Sequence, residues 1–221
     1  MTTSLLEDVI AQNNATVAFM QSQDLPSALN SSMSVLDLQR MLTRSSSMNR
    51  SSSSPSITAC LDRCVYYSGI DRIVSLETSS TENKFIHRQG VLLPPEASDS
   101  SMITSIVIFN AALVHHLAAT QIERVNKEDV LQRALRLYEF AYESHNMDEN
   151  VLFQFIVINN IAAIQHDSGN VEAARECFDY LTSLYMVFLD QQERSCCLQI
   201  HYVRGFAANI SLPIIACAAA A

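Results

Sequence analysis

Three asparagines recur in similar company along the chain. Asn14-Ala15-Thr16 precedes Ala28, Asn110-Ala111-Ala112 precedes Ala134, and Asn160-Ile161-Ala162 precedes Ala174. An asparagine side chain offers a donor and an acceptor together, so a single residue can grip a ligand's main chain at two points. The bland alternative is that these amides only satisfy groups of their own helices. The first and last copies align without a gap: Asn13-Asn14 and Asn159-Asn160 are each followed, fourteen residues after the second Asn, by Ala.

Other reactive side chains carry less. His115 and His116 are adjacent, and neighbours on a helix point about 100° apart, which rarely suits one ion. Cys60/Cys64 and Cys197/His201 have the i,i+4 spacing of two ligands on one face. A zinc site needs four ligands, and nothing here pairs with either half, so no metal and no cofactor is expected. The chain has no Gly-rich phosphate loop, no Gly-X-Ser-X-Gly elbow and no His-Glu-X-X-His, and no catalysis is expected. A Cys nucleophile such as Cys64 near a His stays open, as in any chain with six of each. Arg44 stands three residues before Ser47, Arg50 three before Ser53, and Ser54 precedes Pro55. These spacings suit basic-directed and proline-directed kinases, and each phosphate would add about −2 to the charge. An inert flexible linker is the equal alternative.

These residues need elements to hold them. The chain has 221 residues, 48% hydrophobic, with four Gly and no Trp, which suits helices better than a turn-rich β fold. Its 14 basic and 23 acidic residues give a formal charge of −9, unlike a phosphate-backbone reader. The first residues, MTTSLLEDVIAQNN, lack a basic n-region, so an intracellular (cytoplasmic or nuclear) protein with reduced thiols is expected. The four Asn-X-Ser/Thr triplets are then unused. The apolar tail from Gly205 to Ala221 is broken by Asn209, Ser211 and Pro213 and falls short of the roughly 20 clean residues of a membrane span. No membrane and no nucleic-acid partner is expected.

Helical spacing of Leu6, Val9, Ile10, Val17 and Met20, then of Ala28, Val35, Leu36, Leu38 and Leu42, predicts a helix pair within residues 1–43. Asp24 is placed to cap the second helix, with Pro26 in its first turn. Residues 44–59, with eight serines between Ser45 and Ser56, bury little and read as a disordered linker. Residues 60–100 read as a mostly irregular insert with one or two short strands, since Val65-Tyr66-Tyr67, Ile70 to Leu76 and Phe85 to Leu93 are β-prone. Residues 101–190 predict four helices, about 101–119, 127–145, 149–167 and 171–189. Asn126 and Asp148 precede the second and third, and Gly169 is placed for a left-handed cap between the last two. Residues 191–221 predict a capping helix, with Leu198, Tyr202, Phe206 and Ile210 every four residues, and a tail.

The copy at 155–188, with Asn160-Ile161-Ala162, Gly169, Ala174, Phe178 and Leu181, resembles a tetratricopeptide repeat. The middle copy supplies Asn110, Ala112, Ala134, Tyr138 and Ala141, with roughly ten extra residues at its turn by comparison with that family pattern. The first keeps Asn14 and Ala28 but has Thr16, Gln23 and Ser32 where the family prefers small, Gly and aromatic residues. The resemblance implies an all-α solenoid of stacked antiparallel helix pairs. Its groove, lined by the first helix of each pair, would receive a partner's extended peptide or helix. Carried over, the groove is Ile10, Asn13, Asn14, Val17 and Met20; Ile106, Phe109, Asn110, Leu113 and His116; and Ile156, Asn159, Asn160, Ala163 and His166. None is basic, which argues against a clamp for an acidic peptide terminus. The implied function is a non-catalytic adaptor, with homo-oligomerisation through an uncovered face also open. The alternatives are an RNA-binding helical repeat and a thiol-based sensor or enzyme subunit.

Overall fold

The computed structural model describes residues 2–47, 86–121, 126–144 and 151–192. Six helices lie there: α1 (Thr2–Gln21), α2 (Leu25–Ser47), α3 (Ser100–Ala119), α4 (Lys127–Glu143), α5 (Val151–Asp167) and α6 (Val171–Gln192). There is no β-strand among the described residues, so the all-α expectation holds for them. The β-prone runs before Phe85, the serines after Ser47, Cys60, Cys64, Asp148 and the expected helix after residue 192 lie outside the described residues.

The chain divides into two compact units, residues 1–76 with 88–149, and residues 77–87 with 150–221. In the first, α1 packs on α2 and α3 on α4, while α3 also meets α2 and α1. In the second, α5 packs on α6.

Local chemistry sets the boundaries. The side chain of Asp24 accepts from the Ser27 N–H at 3.2 Å, which starts α2 as expected. Those hydrogen bonds, first from the Ser27 side chain and then from its backbone, hold the Asp24 carboxyl below its usual pKa. Asp99 caps α3, accepting from the N–H groups of Ser101 (2.8 Å) and Met102 (3.2 Å). Asn126 takes the N-cap place of α4 but makes no side-chain capping bond. There, Glu128 and Asp129 in the first turn supply the favourable charge instead. α2 runs on to Ser47, four residues past the boundary expected at 43, so Ser47 ends a helix instead of sitting in a linker.

Small residues sit where helices cross. Ala28, Ala112, Ala134, Ala141, Ala162 and Ala174 are all buried, so paired backbones can approach closely. α3 is apolar around most of its circumference, with a mean hydropathy of 1.7. It is long and apolar enough to cross a bilayer by composition alone, yet 89% of that stretch is buried inside the protein. Its neighbours α1, α2 and α4 account for a helix that needs little polar face.

Candidate functional site

Residues 86–93 form neither helix nor strand. Buried main-chain groups need partners, and here asparagine side chains supply them. In the first unit, Asn14 accepts from the Leu93 N–H (2.9 Å) and donates to the Leu93 carbonyl (2.8 Å). Asn110 does the same to Val91, accepting from its N–H at 2.8 Å and donating to its carbonyl at 2.7 Å. Asn13 also donates to the Val91 carbonyl (3.2 Å), and its own Oδ1 accepts from Asn110 Nδ2 (2.9 Å). In the second unit, Asn160 accepts from the His87 N–H (2.9 Å) and donates to the His87 carbonyl (3.0 Å). Each of the three amides therefore imitates one rung of a β-ladder, reading the N–H and C=O of a single residue.

Side-chain packing fixes the register in the first unit. Val91 and Leu93 are buried, Leu92 between them is half-buried, and Arg88 is exposed, the alternation of an extended chain lying on one surface. Gly90 lies against α1. A Cβ there would stand 2.6 Å from Met20 Cε and 2.8 Å from Val17 Cγ2, so only glycine fits without displacement. Pro94 then opens a turn closed by the Ala97 N–H on the Pro94 carbonyl (3.0 Å), which leads to the Asp99 cap.

The positions carried over from the repeat resemblance divide into groups. Asn13, Asn14, Val17, Met20 and Asn110 touch the extended segment, and Asn160 touches its own part of it. Asn159 is buried and donates to Asn160 Oδ1 (3.2 Å), as Asn13 does to Asn14 Oδ1 (3.3 Å). This neighbour bond orients the amide that does the gripping. Ile10, Ile106, Leu113, Ile156 and Ala163 are buried core residues. Phe109 and His116 depart from the groove assignment: both meet Tyr138 of α4, with ring centroids 5.6 and 5.9 Å away. The Tyr138 hydroxyl lies 3.5 Å from His116 Nδ1. They pack the α3/α4 pair because i,i+7 residues share a helix face. His166, near the end of α5, is exposed.

The sequence offered a ligand's main chain or the groups of their own helices as what these amides serve; here they bond to main chain at His87, Val91 and Leu93 of the same protein. Gly90-Val91-Leu92-Leu93 carried the signal: a lone glycine within a β-prone run marks a close backbone approach.

The side chains that make these grips are neutral amides. His115 is buried, and desolvation, then the Arg133 charge, lowers its pKa. Among the described residues no group of three or more His, Cys, Asp or Glu is placed to hold a metal ion. Cys177 is half-buried on α6. Comparison with protein-family models, curated proteins and solved structures finds no match to this chain.

Proposed function

We propose that this chain is a non-catalytic adaptor, a tetratricopeptide-like arrangement of helix pairs that holds an extended peptide of another protein. The observation that supports this reading is the two-point amide grip on main chain at Leu93, Val91 and His87. Such a grip uses only groups present in nearly every residue, so its object is set by shape and by neighbouring side-chain sites, not by charge. The acidic balance fits a protein partner better than nucleic acid, and neither nucleic acid nor a membrane enters the proposal. The site is cytoplasmic or nuclear in this reading, and phosphorylation of Ser47, Ser53 and Ser54 is its proposed regulation.

The test is affinity capture from cell extract with the full chain and with Asn14→Ala/Asn110→Ala, after matching their helix content by circular dichroism. A specific protein retained by the first and lost by the second is the expected result. No specific protein on either chain would sink the adaptor reading. Alanine at all three serines with unchanged partner affinity would remove the phosphorylation step alone.

A further inference from the structure

We infer that the place held by residues 90–93 in the first unit is a peptide-reading site, and that its partner ligand is an extended segment of the pattern glycine, apolar, any residue, apolar. The inference rests on the adaptor reading above and adds a register and a residue preference to it. The chain's own Gly90-Val91-Leu92-Leu93 is then an internal occupant that a partner segment displaces.

Each position of the pattern has a cause. The first must be glycine because Val17 and Met20 stand within 2.8 Å of where its Cβ would be. The methyl end of Met20 can swing aside, but Val17 is β-branched on a helix and has essentially one rotamer there. The second and fourth positions are held by both main-chain groups, on Asn110 and Asn14, and their side chains are 4% and 1% exposed. A charge at either would be taken out of water at a place the chain itself fills with valine and leucine, which disfavours acidic and basic residues alike. The third side chain is half-buried, so it tolerates variety.

The occupant's tether sets the terms of exchange. Because the occupant belongs to the same chain, its rebinding is intramolecular, and a free peptide must compete with it. A free peptide therefore binds the intact chain with an apparent affinity lowered by the fraction of chains whose own segment is released. Removing the internal occupant should expose the full affinity.

The experiment uses a labelled peptide of residues 88–97, RQGVLLPPEA, titrated by fluorescence anisotropy into the full chain and into full-chain Gly90→Val. The valine should expel the internal segment, and the peptide should then bind the variant at least tenfold more tightly than wild type. A control peptide with Val in place of Gly should bind neither, and adding Asn14→Ala/Asn110→Ala to the variant should abolish binding. A Gly90→Val chain of wild-type helix content that binds both peptides equally, or neither, overturns the inference. Should that variant not fold, hydrogen exchange on the wild-type chain decides instead. Millimolar peptide should speed exchange at the Val91 and Leu93 amides, and unchanged rates overturn it. A wild-type dimer that the peptide dissolves would assign the place to a second copy and overturn it too. If the peptide fails while a captured partner is still lost on Asn14→Ala/Asn110→Ala, the adaptor reading stands and this register falls.

Discussion

The first helix pair, α1/α2, and the last, α5/α6, solve one backbone problem with different side chains. Their turns share three backbone hydrogen bonds. Ser22 donates to the Ala18 carbonyl, Gln23 to Met20 and Asp24 to Phe19. Ser168 likewise donates to Ile164, Gly169 to His166 and Asn170 to Gln165. The residue at the bend is left-handed in both, with φ of 62° at Gln23 and 76° at Gly169. Glycine takes that conformation freely, whereas glutamine holds it against its own Cβ. The interiors differ as well. In the last pair Ala162 and Phe178 meet the needs of an apolar core. In the first, the equivalent places are Thr16 and Ser32, both buried. Thr16 bonds to the Gln12 carbonyl at 2.9 Å and to Ser31 Oγ at 2.8 Å, and Gln12 Nε2 donates to Ser31 Oγ at 2.9 Å. The difference teaches that the backbone device tolerates an apolar or a hydroxyl-lined interior, provided each buried hydroxyl finds a partner.

Substitutions can break this parallel or sharpen it, and denaturant unfolding measures each. The largest effect is expected at the amide grips. Asn160→Ala leaves the buried His87 N–H and C=O without their asparagine, at about 1–3 kcal/mol for each group. Asn14→Ala does the same to Leu93, but Asn14 is half-buried and water can reach the site. Its cost should be nearer 1 kcal/mol. Equal losses would mean that burial does not distinguish the two pairs. Gly90→Ala comes next, at about 1–3 kcal/mol of overpacking against Val17 and Met20. It should act on the first pair while leaving the last untouched. Thr16→Ala removes one hydroxyl from the Gln12–Ser31 cluster and should cost about 1 kcal/mol. A neutral result would show that the hydroxyls there are tolerated passengers. The smallest effects are at the bends: Gln23→Gly should gain, and Gly169→Ala lose, about 1 kcal/mol. Effects of the same sign would end the equivalence of the two turns.

Much of this arrangement could be read from residue types. The helix start at Asp24 and the left-handed bend at Gly169 follow from local rules, and they stand where those rules put them. The recurrence of the asparagines was legible, but whether their amides serve a ligand or their own helices was not, because an amide donates and accepts in either setting. Three features were less so. Gln23 gives no sign of a left-handed bend, because its own propensity is against it and the backbone bonds of Gln23 and Asp24 to Met20 and Phe19 close the turn regardless. Phe109 and His116 share a helix with Asn110 but turn toward Tyr138, which repeat register alone does not distinguish. The gripped segment was hidden because recognition through main chain leaves no mark on the side chains recognised. Only Gly90 shows it, and only once Val17 and Met20 are known to face it.

The grips also set the order in which the chain can assemble. The bends of α1/α2 and α5/α6 close over a few residues, so those hairpins need little loop closure and can form fast. Asn14 and Leu93, by contrast, are 79 residues apart in sequence, Asn13 and Asn110 97, and Asn160 and His87 73. Their bonds carry the larger entropic cost of a long loop and should close last. Hydrogen exchange during refolding would then find the Leu93 amide, bonded to Asn14 across 79 residues, protected after those of α3 and α4. The same segment, docked last, is the natural place for the native protein to open first.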